Sequence, residues 1–344
     1  MRLLFISHKF YPDIGGIETI SELLVNYFSK LNIEVHLLTW TEKKNNRDFS
    51  FKVIRNPDLF TLFKEHYWAD VVFENNPALR LSWPQFIFQK PNIIAIQTWL
   101  QRRDKTISWQ DNLKKKWLNA ADSVIAISRA IKEKTFANAQ IIPNSYEADL
   151  FQRLPEVPKT RDFVFLGRLV SDKGADMAVE LINLFRSAEE KGSDSHNLTL
   201  TIIGDGPEKD KIKEMVNVYG LSDYINLTGY LKGEELSREL NKHKYLLVPS
   251  RWEEPFGIVA LEGMACGCLP FVSNGGGLQE AVGDAGVIFE RNNLHSLYKS
   301  VKEILEHPQL ENELRSNAEE HLRRHRPEVI AERYFEVIQK TYNA

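Results

Sequence analysis

Apolar residues along this chain gather into short runs that alternate with helically spaced stretches, and the alternation restarts once. In the first half RLLFIS, EVHLLTW, FKVIRN, DVVFENN, NIIAIQT, SVIAIS and AQIIPN predict strands, with helices clearest over residues 17–31 and 112–120. Several of these runs are apolar nearly throughout, the pattern of strands covered by helices on both faces. After the proline-containing stretch RLPEVPKTR at residues 153–161, a second series follows: DFVFLGR, LTLTIIGDG, INLTGY, YLLVPSR, PFVS and GVIFE. Such alternation implies right-handed βαβ units and parallel sheets. The expected architecture is α/β, with two Rossmann-like doubly wound domains joined near residues 150–160. Ligands in such folds sit at the carboxyl ends of the strands, and two sets of ends can face each other across a cleft.

Length agrees with two domains, since the chain has 344 residues and single cores seldom grow past about 250–300. The formal net charge of −3 divides unevenly: residues 1–150 carry 20 Lys and Arg against 16 Asp and Glu, the remainder 24 against 31. No long basic stripe or recognition motif is present, which argues against a nucleic-acid partner and leaves room for an anionic surface near the first half. Cys266 and Cys268 are the only cysteines. Their apolar surroundings in MACGCLPF point to packing rather than redox or metal chemistry. The start, MRLLFIS, is too short for a signal segment and no run approaches about 18 apolar residues, so the expected location is cytoplasmic, without a transmembrane span.

The predicted strand ends carry a consistent set of groups. In EPFGIVALE, Glu254 and Glu262 lie eight positions apart, and Pro255 is placed to open a helix whose first N–H groups are free for an anion. On one helix Glu262 would stand about 12 Å further along the axis and close to Glu254 in azimuth, so the two could grip opposite ends of one ligand. Two solvated helix-face glutamates fit the same spacing. DIGGIE places Gly15 and Gly16 before a helix, where backbone can crowd a phosphate or sugar, or simply turn. GRLVSDKG brings Arg168 and Lys173 to one loop, a fork and a point charge suited to a diphosphate, although a solvated pair reads the same. GDGPE and the end at Gly229, Tyr230 and Leu231 could hold a base through backbone contacts or serve as plain turns.

Together GGIE, GRLVSDKG, GDGPE, PSRWEEPFGIVALEGMACG and GGLQE occur in the order and spacing of glycosyltransferase family 4. The chain resembles a retaining, nucleotide-sugar-dependent glycosyltransferase of the GT-B fold, more specifically in its second half than in its first. The resemblance implies an acceptor-side domain of residues 1–155 with a terminal helix at 328–344 crossing back onto it, and a donor domain of residues 156–327. It implies that Arg168 and Lys173 neutralise the donor diphosphate and that Glu254 holds hydroxyls of the donor sugar. The backbone of Phe256, Gly257 and Ile258 would meet sugar and phosphate, Glu262 the ribose, and Gly16 the phosphate from the opposite domain. The expected catalytic set is Glu254, Arg168 and Lys173.

Departure of a nucleoside diphosphate puts negative charge on phosphate oxygens, so fixed positive groups beside them lower the barrier. With Arg168, Lys173 and a helix N-terminus in that role, no metal and no further cofactor are expected; no D-x-D triplet occurs. One departure stands out. Many relatives carry a histidine at the end of the strand NIIAIQT, where this chain has Gln97. Glutamine can hydrogen-bond a sugar hydroxyl but takes no proton at neutral pH, leaving the base to another group, the leaving phosphate or His8.

On the acceptor side, WLQRRDKTISWQDNLKKKW at residues 99–117 interleaves Trp99, Trp109 and Trp117 with Arg102, Arg103 and Lys114–Lys116. Peripheral contact with an anionic membrane and a lipid-linked acceptor would suit it, as would a solvated helix with buried tryptophan anchors. The expected partners are a nucleotide-sugar donor and a glycan or lipid-linked acceptor in cell-surface polysaccharide or glycolipid synthesis. A GT-B-fold sugar-nucleotide epimerase and a non-catalytic nucleotide-sugar-binding protein remain as alternatives. The sequons at Asn197 and Asn226 are expected to be incidental.

Overall fold

A computed structural model of the chain describes residues 1–13, 15–31, 33–44, 47–100, 109–189 and 197–344. These form two compact units, one of Met1–Ser145 with Pro327–Ala344 and one of Tyr146–Arg326. The chain changes unit at Ser145, ahead of the join expected at residue 155.

The first unit is built on β1 (Arg2–Ile6), β2 (Glu34–Thr39), β3 (Lys52–Arg55), β4 (Val71–Asn75), β5 (Asn92–Ile96), β6 (Ser123–Ala126) and β7 (Gln140–Ile141). Their order is β3-β2-β1-β4-β5-β6-β7 and every pairing is parallel. β4 and β5 are buried at every position, which explains why their sequences are apolar without alternation. The helices α1 (Gly16–Lys30), α2 (Leu59–Trp68), α3 (Leu79–Ser82), α4 (Gln85–Phe88), α5 (Trp109–Asn119) and α6 (Arg129–Thr135) connect the strands. In the sheet, Phe5 opposes Phe73 with ring centroids 5.0 Å apart.

The second unit contains β8 (Arg161–Leu166), β9 (Leu200–Ile203), β10 (Ile225–Gly229), β11 (His243–Val248), β12 (Leu269–Ser273) and β13 (Val287–Phe289), in the all-parallel order β10-β9-β8-β11-β12-β13. Its helices are α7 (Ala175–Glu189), α8 (Lys209–Val218), α9 (Gly233–Asn241), α10 (Ile258–Ala265), α11 (Leu278–Val282), α12 (Leu294–Glu306) and α13 (Pro308–Arg324). Phe163, Phe165, Leu200, Phe271 and Leu297 centre one apolar core. The terminal helix α14 (Pro327–Tyr342) returns to the first unit. It buries Ile330, Tyr334 and Ile338 completely, and Arg333 donates to the Ile141 carbonyl at 2.8 Å.

In each sheet one reversal of strand order brings two non-consecutive strands side by side, β1 against β4 and β8 against β11. The loops leaving two such strands diverge and open a crevice at their carboxyl ends. In the second unit those loops are Gly167–Gly174 and Pro249–Gly257. The α/β reading from the apolar runs is therefore the observed fold. One local expectation is corrected: the helix after β11 begins at Ile258, not Pro255. Glu254 instead forms an isolated parallel bridge with Gly276, so the two glutamates do not share one helix.

Candidate active site

The loop after β8 ends in a single tight turn, Ser171–Lys173, closed by Gly174 in the left-handed region (φ 73°). A Cβ on Gly174 would run into the Pro249 carbonyl, so glycine there lets this loop lie directly on the end of β11. Arg251 ties the loops further. Its Nη1 donates to Asp176 Oδ1 at 2.6 Å and to the Ser171 carbonyl at 3.1 Å, while its backbone N–H donates to the Asp172 carbonyl at 2.8 Å. Burial opposes ionisation of Asp176, but the Arg251 partner prevails and holds its carboxyl below the usual range.

This clasp brings together two residues proposed from sequence. Lys173 Nζ donates to Glu254 Oε1 at 2.6 Å, and Ser250 Oγ donates to the same oxygen at 2.6 Å. The Glu254 side chain is 12 % exposed and that of Lys173 34 %. Ser250 is buried, and its carbonyl accepts from Ser273 Oγ at 2.7 Å. Glu254 is also fixed through its main chain, because its carbonyl accepts from Gly277 N–H at 2.8 Å. Gly276 makes that approach possible, at φ 62° and with its Cβ direction aimed into the Glu254 carbonyl.

Arg168 lies on the same β8 loop, exposed and with no side-chain partner among the described residues. On the other side, α10 starts with Gly257 as its cap and Phe256 buried beneath it. The N–H groups of Ile258 and Val259 have no intrahelical acceptor and carry the partial positive charge of a helix N-terminus. Glu262, four residues into the helix from Ile258, is half-buried and its carboxyl has no hydrogen-bond partner among the described residues. Burial, with the negative Glu147 adding to it, pushes its pKa up to about 8. Tyr230 and Leu231 follow β10, two strands from β8 on the same carboxyl edge; Tyr230 is exposed and Leu231 half-buried.

The remaining sequence candidates lie in the first unit. Gly15 caps α1 and Gly16 is its exposed first residue. The buried Glu18 carboxylate folds back over Gly15, so this helix N-terminus already faces a negative group. Gln97 follows β5 and is 5 % exposed. Its Nε2 donates to Tyr334 Oη on α14 at 3.3 Å, and its Oε1 is buried without a partner among the described residues. His8 follows β1 with a buried Nδ1 that has no partner among the described residues; burial first, then Lys9 and Lys114, hold the imidazole below the ordinary histidine range. Of residues 99–117, Arg102 and Arg103 lie outside the described residues. Trp117 is a buried anchor, 4 % exposed, whose indole donates to Glu74 at 2.8 Å, whereas Trp109 is 70 % exposed. Cys266 and Cys268 are buried thiols with pKa values pushed up by burial to about 12 and about 11, as packing residues require. Among the described residues no helix is long and apolar enough to cross a membrane.

Sequence reasoning missed Ser250 and the Arg251–Asp176 clasp. Ser250 stood in the PSRWEEP motif only four residues before Glu254, the signal that could have found it.

Residues 147–321 match the family described as glycosyl transferases group 1, and the chain belongs to that family. Among its relatives is an uncharacterized glycosyltransferase of Methanocaldococcus jannaschii, 26 % identical over 339 residues and covering 90 % of each chain. A glycogen synthase of Mycobacterium tuberculosis is 28 % identical over 214 residues, 59 % of this chain and 50 % of that one. The solved structure of Anabaena HepE in complex with UDP and glucose has a TM-score of 0.80 at 17 % identity, covering 99 % of this chain and 100 % of the other. Sucrose-phosphate synthase from Thermosynechococcus elongatus gives 0.79 at 19 %, covering 99 % of each. The fold is GT-B.

Proposed function

We propose that this chain is a retaining transferase that moves a hexose from a nucleoside diphosphate sugar to a glycan or lipid-linked acceptor without a metal ion. The observation that carries the reading is the Lys173–Glu254 pair at the crevice between β8 and β11, beside the free amides of α10. That edge offers a diphosphate a paired cation in Lys173, a cation in Arg168 without a side-chain partner among the described residues, and a helix N-terminus. The solved HepE complexes with UDP, glucose and UDP-glucose support a nucleotide-sugar donor.

In this reading the incoming diphosphate takes a hydrogen bond from Lys173, and Glu254 turns its released oxygen to a sugar hydroxyl. Ser250 keeps the carboxylate in place during the exchange. As the bond from the anomeric carbon to phosphate breaks, charge grows on the phosphate oxygens, and Lys173, Arg168 and the α10 amides are the positive groups on this edge that would stabilise it. Phe256, Gly257 and Ile258 present backbone to the sugar and phosphate. Glu262, poorly solvated and unpartnered, receives the ribose hydroxyls, while the Tyr230 and Leu231 backbone flanks the base. In the first unit, Gly15, Gly16 and Gln97 are the residues this reading assigns to substrate contact. The acceptor proton goes to the leaving phosphate, since Gln97 cannot take it. Neutral His8 is the alternative base. The pathway proposed is cell-surface polysaccharide or glycolipid synthesis.

The test is incubation with UDP-, GDP- and ADP-hexoses, with and without chelator, followed by product NMR. Release of the diphosphate with a product of the donor's anomeric configuration, unaffected by chelator, supports the reading. An altered sugar without an acceptor indicates an epimerase, and donor binding without turnover a non-catalytic sensor; inversion or chelator sensitivity removes the corresponding part.

A further inference from the structure

The second unit contains a cavity of about 870 Å³ at the edge of its sheet opposite Lys173 and Glu254. Among its lining residues, Lys159 stands two positions before β8, Lys244 is the second residue of β11, and Leu269 is the first of β12, so the cavity lies at the amino ends of these strands. Helix α13 adds Glu311, Arg315 and Leu322 to its wall. The unit begins at Tyr146 and ends at Arg326, and both of these residues line the cavity as well.

Three basic side chains converge on the turn between α10 and β12. A Cβ on Gly267 would stand 3.1 Å from Lys159 Cε and 3.8 Å from Arg153 Cδ, and Arg315 Nη1 donates to the Gly267 carbonyl at 2.9 Å. Lys159 spends its three N–H donors on main-chain carbonyls, those of His243 at 2.6 Å, Cys266 at 3.0 Å and Asn241 at 3.3 Å. Its charge is thus fixed in a half-buried place with no carboxylate partner among the described residues. Burial lowers the pKa of Lys159, and Arg315 and Arg153 add to that effect. The neighbouring thiols, Cys266 at about 12 and Cys268 at about 11, are uncharged near neutrality and do not offset it. A poorly solvated cation without a counter-ion is costly, and an anion in the cavity would supply the opposing charge.

The carboxylates nearby are already engaged. Glu311 accepts from Arg315 Nε at 2.7 Å and from Tyr245 Oη at 3.0 Å, Lys244 pairs with Asp162 at 3.0 Å, and Arg323 pairs with Glu320 at 2.8 Å. Arg153, Lys159 and Arg326 remain without a carboxylate partner among the described residues, and Glu319 is the unpaired carboxylate set against them in the lining. Arg153 and Arg326 are exposed, and a guanidinium fork matches two oxygens of a phosphate. The rest of the wall is apolar, with Tyr146, Phe151 and Met264 each 5 % exposed or less. An inorganic ion would leave most of this volume unfilled, whereas sites for small organic ligands commonly span about 300–1,000 Å³.

We propose that this cavity binds a small phosphate ester, its phosphate taken by Arg153 and Arg326 over the fixed charge of Lys159 and its organic body lying on Tyr146, Phe151 and Met264. The site is separate from the carboxyl edge that carries Lys173 and Glu254. It goes beyond the transferase reading and does not depend on it, since binding here needs neither donor nor acceptor.

The test is isothermal titration calorimetry of the full chain with glucose 6-phosphate, phenyl phosphate, inorganic phosphate and glucose. The expected result is saturable binding of at least one ester, weakened by salt and at least about tenfold tighter than inorganic phosphate, with no binding of glucose. Arg153→Ser/Arg326→Ser alters exposed side chains without partners, so its ligand-free thermal midpoint should match the wild type, and its affinity for the ester should fall at least about tenfold. Arg153→Lys/Arg326→Lys keeps the charge without the fork and is expected to lose less. Lys173→Ala is expected to bind the ester as the wild type does. Absence of binding by both esters, inorganic phosphate bound as tightly as either, or unchanged affinity in the Arg153→Ser/Arg326→Ser variant overturns the proposal. A loss in Lys173→Ala as large as in that double variant also overturns it, by assigning the ester to the crevice between β8 and β11.

Discussion

Lys173 and Glu254 stand 81 positions apart, yet Nζ lies 2.6 Å from Oε1. The strand reversal between β8 and β11 makes the meeting possible and the Arg251 clasp fixes it. A cation and an anion held together here can exchange partners when a ligand supplies one of each, phosphate for the lysine and hydroxyl for the glutamate.

Lys173→Ala is expected to lower kcat/KM by about 30- to 1,000-fold, the roughly 2–4 kcal/mol scale of one removed electrostatic donor. The thermal midpoint should move little, since Lys173 is 34 % exposed and screening limits the pair to about 1 kcal/mol of stability. Unchanged turnover in steady-state assays removes Lys173 from the mechanism.

Arg251→Ala leaves the mostly buried Asp176 carboxylate without its main partner, at an expected cost of about 1–3 kcal/mol. Asp176 has a depressed folded pKa, so the stability it contributes is present above its unfolded value of 3.8 and is lost as pH falls through the lower folded value. Denaturant unfolding of the variant should therefore converge on the wild type in strong acid. An equal deficit at all pH values would deny the clasp its ionic character.

Gly276→Ala places a methyl against the Glu254 carbonyl at a left-handed position. Strain of about 1–3 kcal/mol is expected, and more from the collision, with loss of activity ahead of loss of fold because the bridge holds Glu254. An active variant of wild-type thermal midpoint would contradict this arrangement.

Glu262 gives a pH signature of opposite sign. Its folded pKa of about 8 lies above the ordinary carboxyl value of 4.5, so the folded state retains a proton that the unfolded chain has released. Stability then falls as pH rises from about 4.5 to about 8. Glu262→Gln should match the wild type in acid and exceed it by about 1–3 kcal/mol above pH 8, since solvent partly screens the half-buried carboxyl. Denaturant midpoints at the two ends of this window test it, and no widening of the difference with pH refutes it.

Both sheets were legible because buried parallel strands must be apolar on two faces, and runs such as DVVFENN and NIIAIQT announce that without a partner in view. The motifs after β8 and β11 could be paired because parallel strands send their loops to one edge. The helix boundary was not legible. Pro255 reads as a helix opener, but the Glu254 carbonyl is engaged by Gly277, and that bond delays the first turn to Ile258. Nor could sequence pair Gln97 with Tyr334 across 237 positions, since neither residue type specifies the other.

Thermal unfolding against UDP, GDP, ADP and their hexose conjugates tests the central claim, that the carboxyl edge of the second sheet binds a nucleoside diphosphate sugar. A ligand at 100 times its dissociation constant adds about 2.7 kcal/mol of stability. The account predicts a rise in midpoint with one base, larger for the cognate sugar conjugate, and its loss in Glu262→Ala. No rise with any of these nucleotides, or a rise untouched by Glu262→Ala, would contradict it.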